Sequence, residues 1–228
     1  WRNITIRSSK YDLIMDEDIA IINSNTRNQR IKDFFTKNKK LIISFLITLI
    51  LILLGFYSYQ IYQDKNKIKI SDKYNSSIIK HKNGDNSGIV SAMQEIVENK
   101  DPTYSPLALY YLIDNELVSD KNKINSLFDI LINKTSLDSE IKYLIIYKKA
   151  LYNADTINEG QILEILNPVI NSKSVWKSHA LYLIAEYFYS KGEKQKSKEF
   201  FSQIITLENA NLDILKETQK RLNRDLSE

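Results

Sequence analysis

Between Leu41 and Tyr62 the chain runs for 22 residues without a charge, LIISFLITLILILLGFYSYQIY. At 1.5 Å per helical residue this stretch extends about 33 Å, enough to cross the hydrocarbon core of a bilayer. Ser44 and Thr48 can return their hydroxyls to the preceding turn, so neither interrupts it. Tyr57, Tyr59 and Tyr62 gather at its C-terminal end, where interfacial aromatics belong. A buried core helix would be less uniformly apolar. No small-x-small cleavage pattern comes after it (the residues are SYQIYQDK), and the run exceeds an ordinary signal-peptide core. A retained signal anchor over 41–62 is therefore expected.

The charge respects this division. The 228 residues carry 32 Lys/Arg and 28 Asp/Glu, a net of +4. Residues 1–40 hold nine basic and five acidic side chains, and residues 63–228 hold 23 of each. The whole excess thus precedes the apolar run. A nucleic-acid-binding domain concentrates positive charge on its folded part, and here that part is neutral, so no nucleic-acid partner is expected. Lys/Arg residues number six on each side within 20 positions of the run, a tie. Long downstream domains translocate largely regardless of charge, and Lys37, Lys39 and Lys40 stand at the boundary. That favours a cytoplasmic N-terminus and an exported C-terminal domain. The first 14 residues differ in character from the rest of the tail, and Met15 opens an acidic MDED. Residues 1–14 are accordingly read as an extended start ahead of a 15–40 tail of net +2.

Other chemistry is scarce. With no cysteine there is no disulfide, thiolate metal site, cysteine nucleophile or lipidated cysteine. His81 and His179 stand alone, without an HExxH pair, and no G-x-S-x-G, Walker A or G-x-G-x-x-G occurs. Asp16/Asp18 and Asp114/Glu116 are read as solvated surface, and the sequons at Asn75 and Asn133 as chance matches in an Asn-rich chain. No catalytic residue, metal or cofactor is expected.

Five glycines and three prolines favour helices over a turn-dense β fold. Beyond the anchor, apolar residues recur at helical spacing in runs separated by polar breaks. The clearest unit, Trp176 to Asn209, places Leu181, Ile184, Ala185 and Phe188 on one helix face. Gly192 breaks it, and Phe200, Phe201, Ile204, Ile205 and Leu207 form the apolar side of a second helix. This unit resembles a tetratricopeptide repeat, with Ala185 at the small position and Gly192 at the turn. Ser197 stands where alanine is usual and Asn209 where proline is usual. Lys67–Lys100, Tyr104–Asn133 and Ser139–Asn171 read as more eroded helix pairs, broken at Asn83–Asp85, at Ser119–Asp120 and over Asn153–Glu159. Leu212–Leu226 reads as a capping helix. The expected fold is all-α: an N-terminal transmembrane helix followed by a tetratricopeptide-like helical-repeat solenoid over 63–228.

The arrangement is similar to a bacterial family, the ancillary subunits of the SecYEG translocon. The resemblance rests on KDFFTKNKK, NGDNSGIVSAMQEIVE, YSPLALYYLIDNELVSD and LNPVINSKSVWKSHALYLIAEYFYSKGEKQKSKEFFSQI, in that order over roughly 15–226. Its most specific part is the order Leu166, Pro168, Trp176, Ala185, Gly192. It implies an inner-membrane protein with a periplasmic domain. That domain would contact SecYEG subunits and exported client proteins or periplasmic chaperones, with no catalytic residues. The alternative is a periplasmic repeat scaffold in cell division or envelope assembly.

Repeat helices bury one face and leave another for partners. In the fourth unit that face would carry His179, Tyr182, Glu186, Tyr189 and Ser190, the expected protein-binding groove. Tyrosine suits such a surface, with apolar area and a hydroxyl at modest entropic cost. Equally, Tyr182 and Tyr189 could pack between repeats. Lys191, Lys194, Lys196 and Lys198 read as a solvated turn and helix face.

Overall fold

Side-chain caps and left-handed turns divide the polypeptide into helices. The structure, a computed structural model, describes residues 26–226, so Met15 and the proposed extended start lie outside the described residues. Residues 26–37 form α1. It is followed by α2 (Lys39–Lys82), α3 (Ile89–Glu98), α4 (Tyr104–Asp114), α5 (Lys121–Lys134) and α6 (Ser139–Asn153). Then come α7 (Glu159–Ile170), α8 (Lys177–Ser190), α9 (Lys194–Ile205) and α10 (Leu212–Asp225). Among the described residues there is no strand, as the all-α expectation requires. The chain divides into two compact units, residues 1–65 and 66–228.

In the first unit, α2 carries the apolar run. Its most apolar 18-residue window has a mean hydropathy of 2.6 and no buried residue, so the helix is long and apolar enough to cross a membrane. Thr48 Oγ1 donates to the Ser44 carbonyl at 3.0 Å, a back-bond within the same helix.

In the second unit, the last turns of α2 are amphipathic. Ile70 is buried, and Tyr74 and Ile78, one and two turns on, pack against the same core, which α3, α4 and α5 complete around Met93, Leu109 and Phe128. A second core joins α6, α7 and α8 around Ile162, Leu166 and Ile184, and a third joins α8, α9 and α10 around Leu181, Phe201 and Leu226. Ile132 touches the first and second cores, and Ile170 and Phe200 the second and third. Each helix pair thus finishes burying its apolar face only against its neighbours, as in stacked repeats.

The turns show how the breaks work. Gly84 (φ 86°) and Gly192 (φ 78°) take the left-handed position that closes a helix. After Gly192 the Glu193 N–H donates back to the Phe188 carbonyl at 2.9 Å, and the Gly192 N–H to Tyr189 at 3.0 Å. Glu116 (φ 51°) holds the equivalent place after α4, with Leu117 N–H on the Leu112 carbonyl at 3.0 Å. Asp120, Asp138, Asn158 and Asn211 cap α5, α6, α7 and α10 through their side chains, and Asn158 with Gln161 forms a reciprocal capping box. The turn between α6 and α7, the one whose phase the sequence leaves loosest, spans residues 154–158.

Candidate partner-binding surface

Helix α8 buries Leu181, Ile184, Ala185 and Phe188, each no more than 1% exposed, so the fourth repeat faces its core as the spacing implies. On α9, Phe201 and Ile204 are buried, whereas Ile205 is 40% exposed, one residue past the buried stripe. Ser197, at the small position, is fully buried, and its hydroxyl has no hydrogen-bond partner.

The outward residues of α8 fall into three groups. His179 lies 5.0 Å from the Trp176 ring and 6.0 Å from Tyr147 on α6, and Tyr147 stacks on Trp176 at 6.0 Å. Burial lowers the imidazole pKa, with the Val175 backbone opposing the shift. Tyr182, Glu186 and Tyr189 meet the last helix instead. Arg221 on α10 donates Nε to Glu186 at 2.6 Å and its terminal nitrogens to Glu186 and Asp225, and its guanidinium stands 4.4 Å over the Tyr189 ring. Tyr182 packs edge-on against Phe201 at 5.4 Å. Burial, reinforced by the Glu186 carboxylate, pushes its hydroxyl up to about 12. Ser190, at the helix end, is exposed and donates to the Tyr187 carbonyl at 2.7 Å.

The structure therefore gathers Glu186 and Tyr189 under one guanidinium, packs Tyr182 beside them against Phe201, sets His179 in an aromatic cluster with α6, and leaves Ser190 apart. Sequence reasoning missed Arg221 and Tyr147, although a signal existed. Side-chain bonds between helix pairs recur near one repeat length: Ser71 with Tyr104 at 33 residues, His81 with Tyr111 at 30, Glu140 with Ser174 at 34, and Glu186 with Arg221 at 35. Stepping about 34 residues from Glu186, Tyr189 and His179 leads to Arg221 and Tyr147, whereas Tyr182 and Ser190 find their partners closer in the chain, at Phe201 and Tyr187.

Hydrogen bonding completes the surface. His81 Nδ1 and Tyr111 Oη are 2.6 Å apart, which ties α2 to α4. Ser105, fully buried, donates to the Ile96 carbonyl at 2.6 Å and satisfies an orphan group at the end of α3. Among the described residues, no group of three or more His, Asp or Glu is placed to hold a metal ion.

Residues 32–126 match a family model described as a tetratricopeptide repeat-like domain. No curated protein and no solved structure matches the chain. The matched segment takes in the apolar helix, α3, α4 and the start of α5. The fourth repeat, whose residues keep the pattern most clearly, lies beyond it.

Proposed function

We propose that this chain, which carries a tetratricopeptide-like domain, is a single-pass membrane protein whose helical repeats bind partners beside the Sec translocon. The observation that carries the reading is α2. Its residues 41–62 are apolar with none buried, and its last turns become the first helix of the repeat unit. The N-terminus is cytoplasmic and residues 63–228 are periplasmic, where the domain assists exported proteins or hands them to chaperones. Its work is binding rather than catalysis.

What supports the binding role is the mixture of aromatic and polar groups on the outward side of α8 and α6, with Trp176, Tyr147 and His179 half-buried together. What supports the translocon as the neighbour is the ordered set of sequence segments shared with its ancillary subunits. A photo-crosslinker at position 147 or 182, activated in intact membranes, tests both. Recovery of translocon subunits is the expected result. Recovery of division or outer-membrane assembly proteins alone would give the chain to an envelope scaffold instead. Protease added outside spheroplasts is expected to digest residues beyond 63, and protection would reverse the orientation.

A further inference from the structure

Away from α8, the walls of a cleft of about 420 Å³ are formed by α5 and α7, with α6 as its floor. On α5 the lining residues are Asn125, Asp129 and Ile132, at i, i+4 and i+7. On α7 they include Glu164, Ile165 and Pro168. Each wall is thus one stripe of a helix, about 10 Å long at 1.5 Å per residue, which matches two turns of a guest helix. Ile146 and Ile157 add to an apolar base.

The polar groups of the cleft are of two kinds. Some are already satisfied: Lys149 donates to Asp129 at 2.7 Å, and Asn125 and Asn153 exchange amide bonds at 2.9 and 2.7 Å, which locks α5 to α6. Others remain open. Glu164 is exposed, and among the described residues no ion pair engages its carboxylate. Pro168 lies inside α7 and has no N–H, so the Glu164 carbonyl four residues earlier loses its helical donor. The exposed Glu164 carboxylate, with no ion pair among the described residues, therefore stands at the lip of a cleft whose apolar lining is Ile132, Ile146, Ile157, Ile165 and Pro168.

We propose that the cleft between α5 and α7 is a docking site for an amphipathic helix carrying lysine or arginine beside its apolar stripe. The isoleucines take anchors spaced at i, i+3 or i+4 and i+7, and Glu164 takes the cation. Charge complementarity selects this occupant: the open charge of the cleft is negative, and the Lys149 ammonium that lines it is consumed by Asp129. The site is independent of the translocon reading and lies on different helices from Tyr182, Glu186 and Tyr189.

The test uses the full chain in zwitterionic nanodiscs and a labelled two-to-four-turn peptide with a leucine stripe flanked by lysines. A second peptide replaces each lysine by glutamate, and empty nanodiscs supply the blank. Fluorescence anisotropy is expected to show binding of the lysine peptide and at least about tenfold weaker binding of the glutamate peptide. Glu164→Lys is expected to weaken the lysine peptide by a similar factor, whereas Glu199→Lys, on exposed α9 surface, leaves it unchanged. Matching circular dichroism and thermal midpoints confirm that both variants fold. Equal binding of the two peptides, binding no greater than to empty nanodiscs, or indifference to Glu164→Lys overturns the proposal. Self-association of the chain abolished by Glu164→Lys would give the cleft to a second copy and overturn it as well.

Discussion

Along α2, the stretch from Leu41 to Tyr62 exposes apolar side chains around its whole circumference, whereas residues 66–82 expose lysine, serine and asparagine and turn Ile70, Tyr74 and Ile78 into a core. The backbone is the same continuous helix in both. What differs is where apolar surface leaves water. A stripe about 100° wide can be covered by neighbouring helices, as α3 and α4 cover the second stretch. The first stretch is apolar on every side, with no residue of its most apolar window buried, and is long and apolar enough to cross a membrane. Changes on either side of this boundary should therefore have separable effects.

The largest effect should come from charging the apolar stretch. Leu51→Arg with Ile52→Arg, near its centre, costs about 2.5–3.5 kcal/mol per arginine on insertion scales. Membrane flotation should show the protein lost from the lipid fraction, with the thermal transition of the repeat domain unchanged. If that transition falls too, the two stretches are not energetically separate.

Next comes the core stripe. Ile70→Ala should destabilise the repeat domain by about 2–5 kcal/mol, the cost of a cavity at a buried isoleucine. Ile50→Ala, the same deletion on the exposed stretch, should leave the denaturant midpoint where it was. Equal shifts would erase the contrast.

Both stretches are legible in the amino-acid sequence, because each depends on a local pattern. The apolar run declares itself by length and lack of charge. Gly84 and Gly192 mark helix ends, because glycine takes positive φ without a steric penalty. Glu116 does the same at the end of α4, and nothing in its residue type signals this. Packing of α4 and α5 into the first core holds it there. The face of α8 is likewise legible in part: its buried side follows from periodicity, but the covering of its outer side by Arg221 comes from another helix.

A smaller effect concerns Ser197, which occupies the small position of the fourth repeat and buries an unpartnered hydroxyl. Ser197→Ala should stabilise the domain by about 1 kcal/mol, seen as a raised urea midpoint. No change would mean that the hydroxyl finds a donor or acceptor in solution. The smallest is a pH effect. The folded pKa of His179 lies below its ordinary value through burial, so in the window between the two the unfolded chain binds more protons. The stability it contributes is present above pH 6.5 and is lost as pH falls through the folded pKa. Trp176 fluorescence, 5.0 Å away, should follow the titration, and His179→Phe should flatten the stability profile in that window. Neither change should alter flotation, which keeps the two stretches of α2 distinct.

By itself the sequence determined the long apolar helix, the all-α character, the breaks at Gly84 and Gly192 and the side of α8 that is buried. These depend on hydrogen bonds four residues apart and on apolar spacing near 3.6, both local properties. Tertiary structure alone decided that Glu186 and Tyr189 lie beneath Arg221, that His179 joins Tyr147 and Trp176, and that α5 and α7 part to leave a cleft at Glu164. The physical reason is that stacking angles between successive helices are set by all the interdigitating side chains together. Small rotations accumulated along the stack choose which outward residue meets a neighbour and which remains open.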